Sequence, residues 1–185
     1  MLHRIWVVCF YFFLLNILGT FHIVDTDMTP ALKTALAAKI KYTLHTYEHD
    51  PNVTTYGLEA ADALGISPDQ IFKTLVISLS GLKDPLAVGI VPVSTQLDLK
   101  SFAIAAQAKK AAMADAKDAE RATGYVLGGI SPLGQRKRLP TIIDLSALKH
   151  RTIYVSAGKR GLQVELAPDD LIRLCAAVTA NISRS

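Results

Sequence analysis

The sequence predicts an α+β domain built on a mixed, mainly antiparallel sheet. Three observations carry that expectation. Capped segments with helical periodicity stand near both ends of the chain beyond residue 28. Runs rich in β-branched and aromatic residues fill the middle. The connections between those runs are short and turn-like, where a doubly wound sheet would alternate its strands with helices.

Each element follows from local chemistry. Thr29-Pro30 opens a helix, with threonine as cap and proline first, and Leu32, Leu36 and Ile40 form its apolar face. Lys41–His49 alternates and reads as a strand. Asp50–Tyr56 is a loop, and Leu58–Leu64 a short helix stopped by Gly65. Ser67-Pro68-Asp69-Gln70 has the spacing of a capping box and predicts a brief helical turn. Lys73–Ser80 and Pro85–Val93 read as a hairpin around Gly81–Asp84. Asp98 caps a helix expected to run to about Lys109, burying Leu99, Phe102 and Ala106. A further helix over Asp115–Thr123 is ended by Gly124. Tyr125–Leu127, Thr141–Asp144, Thr152–Ser156 and Gln163–Leu166 are expected short strands. Ala167-Pro168 starts a last helix with Leu171, Leu174, Cys175 and Val178 on one face.

The chain has 185 residues, 50% of them hydrophobic and 19% charged, with a formal net charge of +4. That supports one domain with a proper core. The charge is compatible with a polyanionic partner without demanding one. The two cysteines, Cys9 and Cys175, form no CxxC or Cys/His spacing, so neither a disulfide framework nor a zinc site is indicated. Residues 1–27 are different in kind. Ile5–Val24 is almost wholly apolar, roughly long enough to cross a bilayer. A start-site artefact, with translation beginning at Met28, is the expectation; a membrane anchor or export signal is the alternative.

Two glycine-rich basic loops stand out. The first is Gly128–Arg138, containing Gly129, Ser131, Pro132, Arg136 and Lys137. The second is Ser156–Gly161, containing Gly158, Lys159 and Arg160. Glycine admits close backbone approach, and clustered guanidinium and ammonium groups favour phosphate. The Gly128-Gly129 amides suit stabilisation of charge developing on a carbonyl oxygen. Arg136-Lys137-Arg138 reads equally as a solvated turn. Lys73, at the start of an apolar strand, is a strand-end surface residue unless a partner holds it. His45 and His49 lie about 13 Å apart on a strand, too far to share a metal. The phosphate-loop and G-x-S-x-G patterns are both missing, so no nucleotide-triphosphate site or serine triad is expected.

From Met28 onward the chain resembles the YbaK/EbsC family of aminoacyl-tRNA deacylases. The resemblance is carried by MTPA (28–31), HTYEHDP (45–51), LGISPDQIFKTL (64–75), VPVSTQLDLK (91–100), RATGYVLGGISPLGQRKRLPTIID (121–144) and IYVSAGKRGLQVEL (153–166). It implies a curved, barrel-like sheet surrounded by helices. It also implies a cytoplasmic trans-editing enzyme, of lyase or hydrolase type, that removes cysteine from mischarged Cys-tRNA(Pro), with Cys-tRNA(Cys) as a further candidate substrate, by attack of the substrate's own thiol and without metal or cofactor. Prolyl-tRNA synthetase is the expected partner. The family's site residues fall on Lys73, Tyr47 and Gly128, with Gly129, Ser131, Pro132, Ser156, Gly158 and Gln163 around the substrate. Arg136, Lys137, Arg138, Lys159 and Arg160 are then expected to contact the RNA. One position departs from the family pattern: aspartate follows GKRGL there, and Gln163 stands here. Glutamine keeps hydrogen bonding but cannot act as an anion or base. The alternatives are removal of another small amino acid by activated water, or a non-catalytic module that binds tRNA or a synthetase.

Overall fold

A computed structural model describes residues 28–83 and 85–184, so the apolar leader and Cys9 lie outside the described residues. Within them, helix α1 (Pro30–Ala37) leads into strand β1 (Tyr42–Thr46), helix α2 (Tyr56–Leu64) and the long strand β2 (Ile71–Ser80). Strands β3 (Leu86–Pro92) and β4 (Gln96–Leu97) are followed by α3 (Leu99–Ala105), β5 (Lys110–Met113) and α4 (Ala116–Thr123). Strand β6 (Thr141–Asp144), a 3₁₀ turn (Leu145–Lys149), β7 (Ile153–Ser156), β8 (Leu162–Leu166), α5 (Pro168–Cys175), β9 (Val178–Ala180) and β10 (Ser183–Arg184) complete it.

The order β1-β8-β7-β2-β3-β6-β9, with β5 also paired to β2, makes one eight-stranded sheet. Four of its seven pairings are antiparallel and three parallel, which is the mixed, mainly antiparallel arrangement the sequence predicts. Side chains alternate across β2. Phe72 and Val76 join the core formed with α1, α4 and α5, whereas Ile71, Ile77 and Leu79 face the cores containing residues of α2 and α3.

The expected caps are present. Thr29 Oγ1 accepts from the Leu32 amide at 3.3 Å, Asp98 and Asp115 cap α3 and α4, and Gly65 and Gly124 end α2 and α4 in the left-handed region. The Ser67–Gln70 segment is a single turn, closed by the Gln70 amide on the Ser67 carbonyl at 2.9 Å.

Four expectations need correction. The first helix ends at Ala37, so Ile40 lies beyond it and Leu36 is exposed. Helix α3 stops at Ala105, because Gln107 turns the chain with φ of 54° and Lys110–Met113 pairs with β2. Alanine and lysine favour helix, but the ladder outweighs that preference. Tyr125–Leu127 is not a strand but the approach to a tight turn. Finally, Ala176 adopts φ of 48° and ends α5, so Val178 belongs to β9 and is exposed.

Candidate active site

Strand register assembles the site. Tyr154 of β7 pairs with Ile71 of β2, Ser156 pairs with Gln163 of β8, and Gln163 pairs with His45 of β1. Paired residues share a face of the sheet, and Lys73 shares that of Ile71 by the two-residue period. Lys73, Ser156 and Gln163 therefore project from one face although they lie far apart in sequence. They line a cleft of about 410 Å³ together with Gly128, Ile130, Leu127, Phe72, Thr74 and the Thr54–Leu58 segment. That volume lies in the range of small-molecule sites, ~300–1,000 Å³.

Lys73 donates from Nζ to the Thr95 carbonyl, and burial lowers its pKa below the ordinary lysine value. Lys73 is the third residue of β2 and only part-buried, and the Thr95 carbonyl holds its Nζ, so the condition set by the sequence, a partner that holds the ammonium, is met. Tyr47 lies beside Gln163. Burial raises the phenol's pKa and the Glu59 carboxylate adds to the rise, while hydrogen bonds from Gly161 and Gln163 pull it down. Gln163 is 7% exposed, and its Oε1 has no partner. Thr74 Oγ1 is likewise unpartnered, so two of the three unpartnered buried side-chain atoms among the described residues belong to this wall.

Gly128 is the third residue of a turn closed by the Gly129 amide on the Val126 carbonyl at 3.0 Å. Its φ of +82° is that of a type II turn, where glycine is favoured. A Cβ here would meet the Tyr56 ring at 2.8 Å. Gly129 rests on the backbone of Lys159 and Arg160, where a Cβ would meet Lys159 Cα at 3.3 Å. The two glycine loops thus pack against each other.

Other expected site residues stand outside the cleft lining. Ser131 is fully buried, and its Oγ accepts from the Leu133 amide at 3.2 Å. Pro132 presents its carbonyl to Cys175 Sγ at 3.4 Å. Gly158, with φ of +96°, lets the loop pass Tyr125, whose ring would lie 2.6 Å from a Cβ. Tyr125 is buried, its hydroxyl donates to the Leu133 carbonyl at 2.8 Å, and burial pushes the phenol up to about 12. Arg136 folds back on the Arg121 carbonyl at 3.4 Å. Lys137 and Arg138 line a separate cavity of about 580 Å³ with Ser78. Ser78 lies five residues beyond Lys73 in β2, hence on the opposite face. Lys159 and Arg160 are both exposed, and the Arg160 guanidinium lies against the Leu127 carbonyl and the Tyr56 ring.

The histidines hold walls in place. His45 Nε2 meets Glu165 Oε2 at 2.9 Å, and Thr152 donates to the same carboxylate at 2.7 Å. Burial alone would raise the Glu165 pKa, but the Thr152 and His45 hydrogen bonds outweigh it and hold it low. His49 pairs with Glu59 at 2.8 Å, and Glu59 also accepts from the Asp50 amide at 2.7 Å. That carboxylate ties down the loop leading to Thr54, Thr55 and Tyr56. These three residues went unmarked in the sequence; a threonine pair immediately before a helix start was the signal available. Cys175 is buried, with its thiol pushed up to about 12, and serves the core as expected. Among the described residues no group of three or more His, Cys, Asp or Glu side chains is placed to hold a metal, and no helix is long and apolar enough to cross a membrane.

Comparisons with known proteins bear on the family and the fold. Residues 50–174 match the family model of the aminoacyl-tRNA editing domain. An Enterococcus faecalis protein, EbsC, named as a proposed Cys-tRNA(Pro)/Cys-tRNA(Cys) deacylase, is 44% identical over 123 residues, covering 66% of this chain and 74% of its own. The solved structure of a proposed trans-editing enzyme for prolyl-tRNA synthetase shares the fold, with TM-score 0.69, 24% identity, and coverage of 84% of this chain and 93% of its own. A hypothetical protein's crystal structure superposes with TM-score 0.75 at 23% identity, covering 84% of this chain and all of its own, 100%. The chain belongs to the aminoacyl-tRNA editing domain family, in its YbaK/EbsC branch, and its class of activity is aminoacyl-tRNA deacylation.

Proposed function

We propose that this protein removes cysteine from mischarged Cys-tRNA(Pro), with the substrate's own thiol as nucleophile. One observation carries the reading. The cleft gathers Lys73, Gly128, Ser156 and Gln163, yet its described lining includes no histidine, cysteine or carboxylate that would activate a serine or a water. A nucleophile supplied by the substrate removes that need. The thiolate attacks its own ester carbonyl, the C–S bond forms and the ester C–O bond breaks. The ribose oxygen leaves and takes up a proton, and cysteine departs as a thiolactone. Because the thiol is tethered, effective molarity supplies much of the rate.

Lys73, an ammonium donor in a partly desolvated place, holds the terminal phosphate or ribose. The Gly128 amide faces the negative charge that develops on the carbonyl oxygen. Tyr47, just beyond the end of β1, and Gln163 of β8 position the aminoacyl end. An amide in place of a carboxylate at position 163 suits this scheme, in which no protein base is required. The exposed Arg136, Lys137, Arg138 and Lys159 serve RNA phosphates, and prolyl-tRNA synthetase supplies the mischarged substrate. This reading places the protein in the cytoplasm with the translation machinery.

The test is single-turnover deacylation of Cys-tRNA(Pro) by the wild-type protein and by Lys73→Ala. Wild-type cleavage and a loss of at least about 100-fold in the variant are expected, with an unchanged circular dichroism spectrum. Full activity in the variant would remove Lys73 from the chemistry.

A further inference from the structure

We propose that Arg160 is a positioning residue that sets the orientation of the Leu127–Gly128 peptide, and so aims the Gly128 N–H. This rests on the role given to that amide above, and it reassigns a side chain expected on the RNA. Arg160 Nε and Nη2 both donate to the Leu127 carbonyl, at 3.0 and 2.8 Å. The same guanidinium lies over the Tyr56 ring, 4.9 Å from its centroid. Tyr56 is in turn the ring that Gly128 packs against.

The geometry of a peptide unit gives this contact its consequence. Carbonyl and N–H of a trans peptide point in opposite directions, so whatever grips the Leu127 oxygen also aims the Gly128 hydrogen. In a four-residue turn the central peptide is the one that differs between types I and II, which are related by its rotation. Here that peptide joins Leu127 to Gly128, and glycine offers no steric preference against either sense. A bidentate cation on the Leu127 oxygen selects one of the two. On the other side, the Leu127 amide donates to Glu120 Oε1 at 3.0 Å, so the turn is gripped from both flanks. Among the described residues the Gly128 N–H meets no acceptor and stays free for a ligand. A positive charge on the carbonyl end also polarises the peptide, which strengthens its N–H as a donor.

Arg160→Ala and Arg160→Lys separate this role from phosphate contact. Lysine keeps the charge but lacks the planar fork. A positioning role predicts that both variants lower kcat, alanine by about 10- to 100-fold, with KM and the salt dependence of tRNA binding unchanged. A phosphate contact predicts the reverse: lysine near wild type, and alanine with raised KM and a salt slope reduced by about 1. That second pattern would overturn the proposal. A readout independent of activity is the ¹H–¹⁵N spectrum of the free protein. In Arg160→Ala the Gly128 amide resonance should move while that of Gly81, in the β2–β3 turn against Lys109, stays in place. An unmoved Gly128 resonance would equally overturn it. If the wild type cleaves no Cys-tRNA(Pro), the functional reading fails, and the spectrum still decides whether Arg160 orients the turn.

Discussion

Replacing Gly128 by alanine tests the turn most severely, because two separate costs fall on the same atom. Holding an L-residue at φ of +82° costs about 1–2 kcal/mol. The added Cβ also lands 2.8, 2.8 and 2.9 Å from three carbons of the Tyr56 ring. Favourable carbon contacts begin at about 3.5 Å, so the ring must retreat by well over half an ångström. It cannot do so freely, since the Arg160 guanidinium lies over it. Overpacking of this kind costs about 1–3 kcal/mol. The sum, about 2–5 kcal/mol, should appear in urea unfolding as a lower midpoint with an unchanged slope. A Tyr56→Ala background separates the two terms. There Gly128→Ala should cost only the backbone share, about 1–2 kcal/mol. An equal cost in both backgrounds would refute the steric reading, and a cost under about 0.5 kcal/mol in the wild type would refute the strained turn as well.

Asp144 is 3% exposed, and its carboxylate accepts from Ser146 N and Oγ and from the Ile182 and Ser183 amides, tying the last strand to the 3₁₀ turn. Burial alone would raise its pKa, but these hydrogen bonds prevail and lower it. Its contribution is therefore fully present above the unfolded value of about 3.9 and is lost as pH falls through the lower folded value. Asp144→Asn should cost about 2–3 kcal/mol at neutral pH, with the difference from wild type shrinking in acid; a gap constant with pH would contradict this. Tyr125→Phe leaves the Leu133 carbonyl without its donor and should cost about 1–2 kcal/mol, measured by urea unfolding. A neutral effect would show that the Gly124–Leu133 loop is held without that bond.

The helices were legible wherever a cap marked them: Thr29, Asp98 and Asp115 at starts, Gly65 and Gly124 at ends. The hairpin of β2 and β3 was legible from its turn. Strand β5 was not, because Lys110–Met113 has helical composition and becomes a strand only through β2. For the candidate site, residue types in the loops are legible in the sequence, whereas the directions of their side chains come from tertiary partners. Arg160 reads as a phosphate ligand from its neighbours in the loop, and its carbonyl acceptor lies 33 residues away in sequence, beyond the reach of any local pattern. The turn contacts of Ser131 and Gly158, with the Leu133 amide and the Tyr125 ring, are likewise set by partners that the loop sequence does not name. The convergence of Lys73, Ser156 and Gln163 rests on cross-strand register, which no local pattern specifies.

The most direct test of the whole account compares cleavage rates for cysteine and serine carried on the same tRNA(Pro), with the released product identified by mass spectrometry. The two esters differ by one atom, sulfur against oxygen, and only the thiol is partly ionised at neutral pH. The account predicts rapid release from the cysteine ester, a thiolactone or its hydrolysis product, and little turnover of the serine ester. Equal rates for both would contradict an attack by the substrate's own sulfur.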